Sequence, residues 1–182
     1  RARLIAHYVE KQEMERAMQI ARDIQQDLLP DGPPAIEGFE VAGLARPADA
    51  TGGDTYDFLA LPDGRWLLAV ADATGHGVGP ALVIAETRAV LRALALCDRD
   101  VAGVLRTANE LLAADLDGAR FVTCFLGVLD PAAGRLVYAS AGHGPLLFYR
   151  RADDAFEEAG ATDLPLGVLP KTAYDQVRTV EM

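Results

Sequence analysis

Two short segments place an aspartate where a carboxylate can do chemistry. In Gly52-Gly53-Asp54, two glycines permit an unusual backbone directly before the start of a predicted strand. Asp72 follows an apolar strand and precedes a glycine-containing loop and a helix. A carboxylate at the end of a buried strand is costly unless it is paired, hydrogen-bonded or bound to a metal. Two such carboxylates on neighbouring strands can hold hard divalent cations such as Mg²⁺ and Mn²⁺, which prefer oxygen ligands.

Each segment also has an ordinary structural explanation. Gly-Gly-Asp is a common turn sequence, and Asp72 can cap the helix that follows it. Either explanation suffices for one segment taken alone. Taken together, and with the strand pattern described below, the two segments favour a metal site with oxygen ligands. The residues alone predict nothing finer than that.

The composition restricts the classes of protein to which the chain can belong. Its 182 residues and 51% hydrophobic content predict one folded domain with a substantial core. A formal net charge of −10 argues against nucleic acid or an anionic membrane surface as the main partner. It does not argue against a phosphorylated substrate, because bound cations reverse the local field.

Cysteine content and hydropathy predict a location. Cys97 and Cys124 are predicted to be free buried thiols, with no disulfide framework. The sequence shows no signal peptide and no apolar run long enough to span a bilayer. A cytoplasmic location without membrane contact by this segment is therefore expected.

The first 29 residues predict one helix. They contain no Gly or Pro and are rich in strong helix formers, and a Pro/Gly cluster that starts at Pro30 ends the helix. Apolar side chains fall on one face at helical spacing: Met14, Ala17, Met18, Ala21, Ile24 and Leu28. The interpretations that stay open are a dimerising coiled-coil arm, a connector from an upstream module, and a helix that lies on its own domain.

The rest of the chain predicts an α+β fold. Strands are expected at residues 39–45, 56–61 and 65–71, and Asp63-Gly64 is a favoured hairpin turn between the last two. Two helices follow, at residues 80–96 and 101–116, the second capped by Asp100. Further strands are expected at residues 121–129, 135–141, 145–150, 155–159 and 177–181.

The strand at residues 121–129 determines the layering. It is apolar on both faces, so both faces must be covered. The tight turns between consecutive strands make the sheets mainly antiparallel. Two sheets packed together with helices outside satisfy both requirements, which predicts a four-layer α/β/β/α sandwich.

Several short segments along the chain form a recognisable series, at residues 21–30, 52–58, 72–77 with 80–82, 121–123, 141–145 and 164–167. Each is short, but their order and spacing together are specific. In that order they resemble the protein phosphatase 2C superfamily, in the bacterial branch typified by the stage II sporulation E phosphatase and the phosphatases that regulate sigma factors.

This resemblance implies a two-metal hydrolase of phosphoserine and phosphothreonine that uses Mn²⁺ or Mg²⁺. It implies that Asp54 bridges both ions and that Asp72 and the backbone carbonyl of Ala73 hold one of them. A water shared by the ions would attack phosphorus in line. The implied substrate is a regulatory protein of the anti-sigma-factor antagonist type. The implied partners are an upstream sensor or receiver domain and a second copy bound through the N-terminal helix.

The family places further aspartate ligands beyond Met182, one of them in a Thr-Asp-Gly motif. The expected organisation is therefore a helical linker and dimerisation segment at residues 1–29 and a phosphatase domain at residues 30–182 that lacks its C-terminal strands. The alternative is a catalytically incompetent binding or dimerisation module in a signalling protein.

Four other polar residues near these motifs are weaker candidates. His76 can act as an acid for the leaving alkoxide, although filling its loop is the favoured interpretation. Asp57 is either a hydrogen-bonding neighbour of the metal ligands or a surface carboxylate. His143, in a glycine loop between strands, is expected to serve the turn or the packing rather than catalysis. Arg46 can pair with a substrate phosphate, but an ordinary surface arginine is favoured.

Overall fold

The computed structural model describes residues 2–47, 50–97, 100–116 and 118–182. Its three helices are α1 (Ala2–Leu28), α2 (Val78–Cys97) and α3 (Val101–Asp115). Arg1, where the predicted first helix begins, lies outside the described residues. Its strands are β1 (Asp54–Ala60), β2 (Trp66–Ala73), β3 (Val122–Asp130), β4 (Arg135–Ala141), β5 (Leu146–Arg150), β6 (Ala155–Ala159) and β7 (Arg178–Glu181).

Turn and cap chemistry sets several of these boundaries. Gly64 adopts a positive φ of 87° in the β1–β2 turn, where the Leu61 amide donates to the Arg65 carbonyl at 2.8 Å. The Asp100 side chain accepts a hydrogen bond from the Gly103 amide at 3.0 Å, as its predicted capping role requires. These contacts explain why the predicted hairpin and the start of α3 agree with the structure.

The strands form two antiparallel sheets. The larger has the order β1-β2-β3-β4-β7, and β5 pairs with β6 in the smaller. Helices α2 and α3 pack together on one face of the larger sheet, as the core cluster on that side shows. This cluster includes Leu67, Ala69 and Ala71 of β2, Ile84 and Leu91 of α2, Leu105 and Leu112 of α3, and Leu126 of β3.

The second face of the larger sheet is covered from the other side. Phe125 of β3 and Tyr138 of β4 pack there against Leu146 and Phe148 of β5. The rings of Tyr138 and Phe148 lie 5.6 Å apart. The apolar character of both faces of β3 therefore has the predicted explanation, a helical layer on one side and a second sheet on the other.

The α+β class and the pair of antiparallel sheets are confirmed. One outer layer of the predicted sandwich is not formed by the residues that the structure describes, because α2 and α3 share one face and α1 packs against α2. The outer face of the β5–β6 hairpin is exposed and carries Leu147, Tyr149 and Phe156. No helix within the described ranges has both the length and the apolar content needed to cross a membrane.

Two other sequence expectations need correction. The segment predicted as a strand at residues 39–45 forms only an isolated bridge, between Ile36 and Phe39. Phe39 and Val41 still pack against the core, whereas Leu44 is exposed, so only part of the hydrophobic alternation is used and no ladder forms. Cys124 is buried as predicted, and burial raises the pKa of its thiol to about 12. Cys97, at the end of α2, is exposed instead.

A buried ion pair holds β1 to α2. The Asp57 side chain is 4% exposed and lies 3.2 Å from Nε of Arg88 and 3.0 Å from Nη1 of Arg92. These arginines are one helical turn apart on α2, so both reach the same carboxylate. Breaking such a pair leaves charges in a site that water reaches poorly, which costs far more than breaking a surface pair.

We expect Asp57→Ala to lower the free energy of unfolding by about 3 kcal/mol, because two guanidinium groups lose the carboxylate that both contact. Urea denaturation measures this. The control is Glu157→Ala, which breaks an exposed ion pair with Arg150 and should cost about 1 kcal/mol or less. Equal losses in the two variants would show that the Asp57 contacts do not anchor β1.

Candidate metal centre

The β1–β2 ladder places the two candidate aspartates directly opposite each other. Asp54 is the register partner of Asp72, and Asp72 is in turn the partner of Thr123 on β3. Opposed residues in an antiparallel pair project from the same face, with Cβ atoms about 5 Å apart. The three side chains therefore form a row across three strands. Asp54 is exposed and Asp72 is half-buried, so solvent reaches this row.

Gly53 permits this close approach. A Cβ atom at position 53 would lie 2.3 Å from the Ala73 carbonyl oxygen and 3.0 Å from Oδ1 of Asp72. The Ala73 amide donates to the Gly53 carbonyl at 2.9 Å. The backbone before Asp54 is thus packed against the end of β2, and only glycine fits there without displacing that strand. The sequence had indicated the glycine pair, but not the atoms that require it.

Like charges meet at this row. Burial raises the pKa of Asp72, and the negative charge of Asp54 raises it further, while His143 acts in the opposite direction. Burial lowers the pKa of His143, and the two carboxylates oppose that effect. A bound cation would offset the charge of Asp54 that disfavours ionisation of Asp72.

The donor set fits a hard divalent cation in type. It comprises the carboxylates of Asp54 and Asp72 and the Ala73 carbonyl, which packs against Gly53, the residue before Asp54. Mg²⁺ is commonly bound by one or two carboxylates and keeps several waters. Within the described ranges, no cluster of three or more His, Cys, Asp or Glu side chains is arranged to hold a metal. These residues therefore account for part of a coordination shell.

Helix α1 reaches the first motif through Gln25. Its side-chain amide donates to the Gly52 carbonyl at 2.6 Å, and its Oε1 accepts from the Gly52 amide at 3.0 Å. Arg22, Gln25 and Asp54 also border a small cavity of about 40 Å³ between α1 and the loop. Sequence reasoning had not singled out Gln25, although it lies within the segment at residues 21–30 that carries part of the family resemblance.

His143 lies closer to the carboxylates than its turn-forming sequence suggested. Its Nδ1 is 2.9 Å from the Thr123 hydroxyl, in a hydrogen bond whose direction depends on the tautomer. Ser140 donates its hydroxyl to the His143 carbonyl, and the Gly142 amide donates to the Asp163 carbonyl at 2.8 Å. The loop after β4 therefore holds this imidazole at the end of the Asp54–Asp72–Thr123 row.

The other sequence candidates lie elsewhere. Asp57 is three residues from Asp54 and thus on the opposite face of β1, where it contacts arginines of α2. Both roles considered for Asp57, a neighbour of the metal ligands and a surface carboxylate, are therefore wrong, since its buried ion pairs hold β1 to α2. His76 is exposed in the loop between β2 and α2, and Arg46 is exposed before the first motif. Their functional roles stay predictions.

The sequence matches the Stage II sporulation protein E (SpoIIE) family over residues 62–181. It is 28% identical over 166 residues to the phosphoserine phosphatase RsbU of Bacillus subtilis, covering 91% of this chain and 49% of that protein. It is 27% identical over 198 residues to protein IcfG of Synechocystis, covering 94% and 31%. The chain thus spans about half, or less, of the length of these curated relatives.

Two solved structures share the fold. The RsbU and RsbW domains of Rv1364c from Mycobacterium tuberculosis align with a TM-score of 0.63 and 32% identity, covering 76% of this chain and 38% of that one. The SiaA-PP2C domain of Pseudomonas aeruginosa aligns with a TM-score of 0.70 and 23% identity, covering 95% and 68%. The second likeness concerns the fold alone.

We expect Gly53→Ala to destabilise the protein by about 2 kcal/mol, because the added methyl group must displace the Ala73 carbonyl. Gly79→Ala is the matched control, since no atom from outside its own stretch of α2 backbone lies within 4 Å of the added Cβ. Alanine favours a helix over glycine, so the control should stabilise by up to about 1 kcal/mol. Thermal unfolding of the two variants should therefore shift in opposite directions, and a Gly53→Ala protein that is no less stable than the unmodified protein contradicts the packing described for Gly53.

We expect Gln25→Ala to speed hydrogen exchange of the Gly52 amide by about tenfold, because the side chain that accepts its hydrogen bond is removed. Amide-resolved exchange measured by NMR tests this. The neighbouring variant Gln26→Ala, whose side chain is exposed, should leave that rate unchanged. Equal exchange rates in the two variants would show that Gln25 does not hold the loop.

Proposed function

Because this chain belongs to the Stage II sporulation protein E (SpoIIE) family, we propose that it is a metal-dependent protein phosphatase domain. Its proposed substrate is a phosphoserine or phosphothreonine on a regulatory protein of the anti-sigma-factor antagonist type. The observation that carries the proposal is the pairing of Asp54 with Asp72 across the β1–β2 ladder. Among the relatives, RsbU carries the name of a phosphoserine phosphatase, which supports the reaction class.

Asp54, Asp72 and the Ala73 carbonyl would hold the proposed cofactor, two ions of Mn²⁺ or Mg²⁺. Bound divalent cations would supply Lewis-acid stabilisation of phosphoryl charge and a more acidic water. The protein itself holds the two carboxylates opposite each other in the β1–β2 ladder. It also leaves the sheet face that carries them open to solvent at Asp54. His76, exposed in the adjacent loop, remains the candidate acid for the leaving group.

The proposed division of the chain is a linker and dimerisation segment at residues 1–29 and the phosphatase domain from residue 30 onward. Ile5, Tyr8 and Val9 are exposed at helical spacing in the first part of α1, which suits packing against a second copy. The last part of α1 contacts the domain through Gln25. A signal from an upstream sensor or receiver domain would reach the first motif through that contact.

The alternative is a phosphatase-like module that binds or dimerises without catalysis. The observation that favours it is that the described residues provide two carboxylates rather than a cluster of three. Such a module would bind its partner protein in the absence of divalent cations, whereas the phosphatase would require them for turnover.

We expect Mn²⁺-dependent release of phosphate from a phosphoserine peptide, and a loss of about a hundredfold or more in Asp54→Asn and in Asp72→Asn. Each change keeps the side-chain shape and removes the charge that attracts a cation. Calorimetry should show weakened Mn²⁺ binding in the same variants. Unchanged hydrolysis in either variant would overturn the site assignment.

The matched control is Asp130→Asn, at the opposite end of the sheet. The Asp130 side chain accepts a hydrogen bond from the Ala133 amide at 3.0 Å, and asparagine can do the same. This variant should keep both Mn²⁺ binding and hydrolysis. The measurement uses the complete domain, including any chain that follows Met182; if that domain binds no Mn²⁺ and hydrolyses no phosphoester, the module is the better description.

A further inference from the structure

His143 is a polar side chain beside the proposed metal ligands, and the proposed function assigns it no role. It is half-buried, it faces the electrostatic field of both Asp54 and Asp72, and its Nδ1 contacts the Thr123 hydroxyl at 2.9 Å. Thr123 is the register partner of Asp72. The imidazole therefore extends the row of two carboxylates by a group that can donate a hydrogen bond.

The loop that carries His143 is fixed from several directions. The Gly142 amide donates to the Asp163 carbonyl at 2.8 Å, and a Cβ at position 142 would lie 2.4 Å from Cγ of Pro165. Gly142 also adopts a positive φ of 69°. The residues around Pro165 are in turn held by the bridge between Leu166 and Val122. A loop fixed in this way presents one ring orientation rather than many.

We propose that His143 donates a hydrogen bond from Nε2 to an oxygen of the substrate's phosphoryl group, with Thr123 as the residue that positions the ring. This inference rests on the proposed phosphatase function. When the Thr123 hydroxyl donates to Nδ1, the ring hydrogen of neutral imidazole is on Nε2, which is then the donor. The Thr123 hydroxyl can donate to Nδ1 or accept from it, and the proposal assigns the direction in which it donates, which leaves the Nε2 hydrogen for the phosphoryl oxygen.

Charge and ligand geometry favour this role over two others. A phosphoryl group near Asp54 and Asp72 is repelled by both, so donors on the same face are needed to hold it. His143 does not complete a three-residue metal cluster with them in the described chain. A purely packing role does not explain why a polar ring with a fixed hydrogen bond faces two carboxylates.

The test uses NMR on the full chain, with inorganic phosphate and Mg²⁺ as probes. We expect phosphate to shift the ring ¹⁵N signals of His143 and to leave those of His7 unchanged, since about 27 Å of helix α1 separates His7 from Gln25. The apparent Kd for phosphate should rise about tenfold or more in His143→Asn, which keeps a polar group near Nδ1 and removes Nε2. His143→Gln, which can place a donor near Nε2, should restore part of that loss.

Thr123→Val tests the positioning role. Removal of the hydroxyl should change the tautomer-sensitive ¹⁵N pattern of the His143 ring and weaken phosphate binding. Thr123→Ser, which retains the hydroxyl, should preserve both. A purely structural role for Thr123 would alter unfolding without a selective change in the ring signals.

Hydrolysis of the phosphoserine peptide separates this inference from the proposed function. If the unmodified protein is active and His143→Asn changes neither KM, kcat nor phosphate binding, the assignment of His143 is overturned and the phosphatase function stands. If phosphate shifts the His143 signals but no hydrolysis occurs, the phosphoryl contact stands and the catalytic function fails. If phosphate leaves the His143 ring unchanged, the inference fails whatever the activity.

Discussion

The register between β1 and β2 is the constraint on which the rest of the candidate site depends. It places Asp54 opposite Asp72, although like charges in that position weaken a sheet. A slip of one residue would turn Asp54 toward the helices and separate the pair. The turn around Gly64 and the apolar residues that alternate along β2 prevent that slip. Interactions elsewhere in the two strands therefore hold Asp54 opposite Asp72 despite the repulsion between the two carboxylates.

Support for β1 comes from both sides. On the helical face, the Asp57 carboxylate holds two arginines of α2, which begins shortly after Asp72 in the sequence. At the start of the strand, Gln25 of α1 holds Gly52 through two hydrogen bonds. The two aspartates are therefore connected by the β1–β2 ladder and also through α2. Both helices therefore support the strand that begins with Asp54.

The positions of helices and strands could be predicted from the sequence, whereas contacts between side chains distant in the sequence could not. Strand and helix positions follow from apolar periodicity and from local turn chemistry, so most boundaries agree within a few residues. Residues 39–45 fail because a strand requires a neighbour as well as alternation. Asp57 meets arginines that lie 31 and 35 residues away, and His143 meets Thr123 across 20 residues. One signal was available: Asp57 differs in strand parity from Asp54, which places it on the opposite face.

The negative charge of the candidate site provides a way to distinguish a phosphatase from a non-catalytic binding module. The chain carries a net charge of −10, and two carboxylates face each other at the candidate centre. A phosphate dianion has no favourable electrostatic path to that face unless cations reverse its sign. The same carboxylates attract divalent cations, so phosphate affinity and cation affinity must be coupled at this site. The affinity for a protein partner that binds elsewhere on the domain would not depend on divalent cations in this way. Cation dependence of phosphate binding is therefore a more direct criterion of the function than the affinity for either ligand alone.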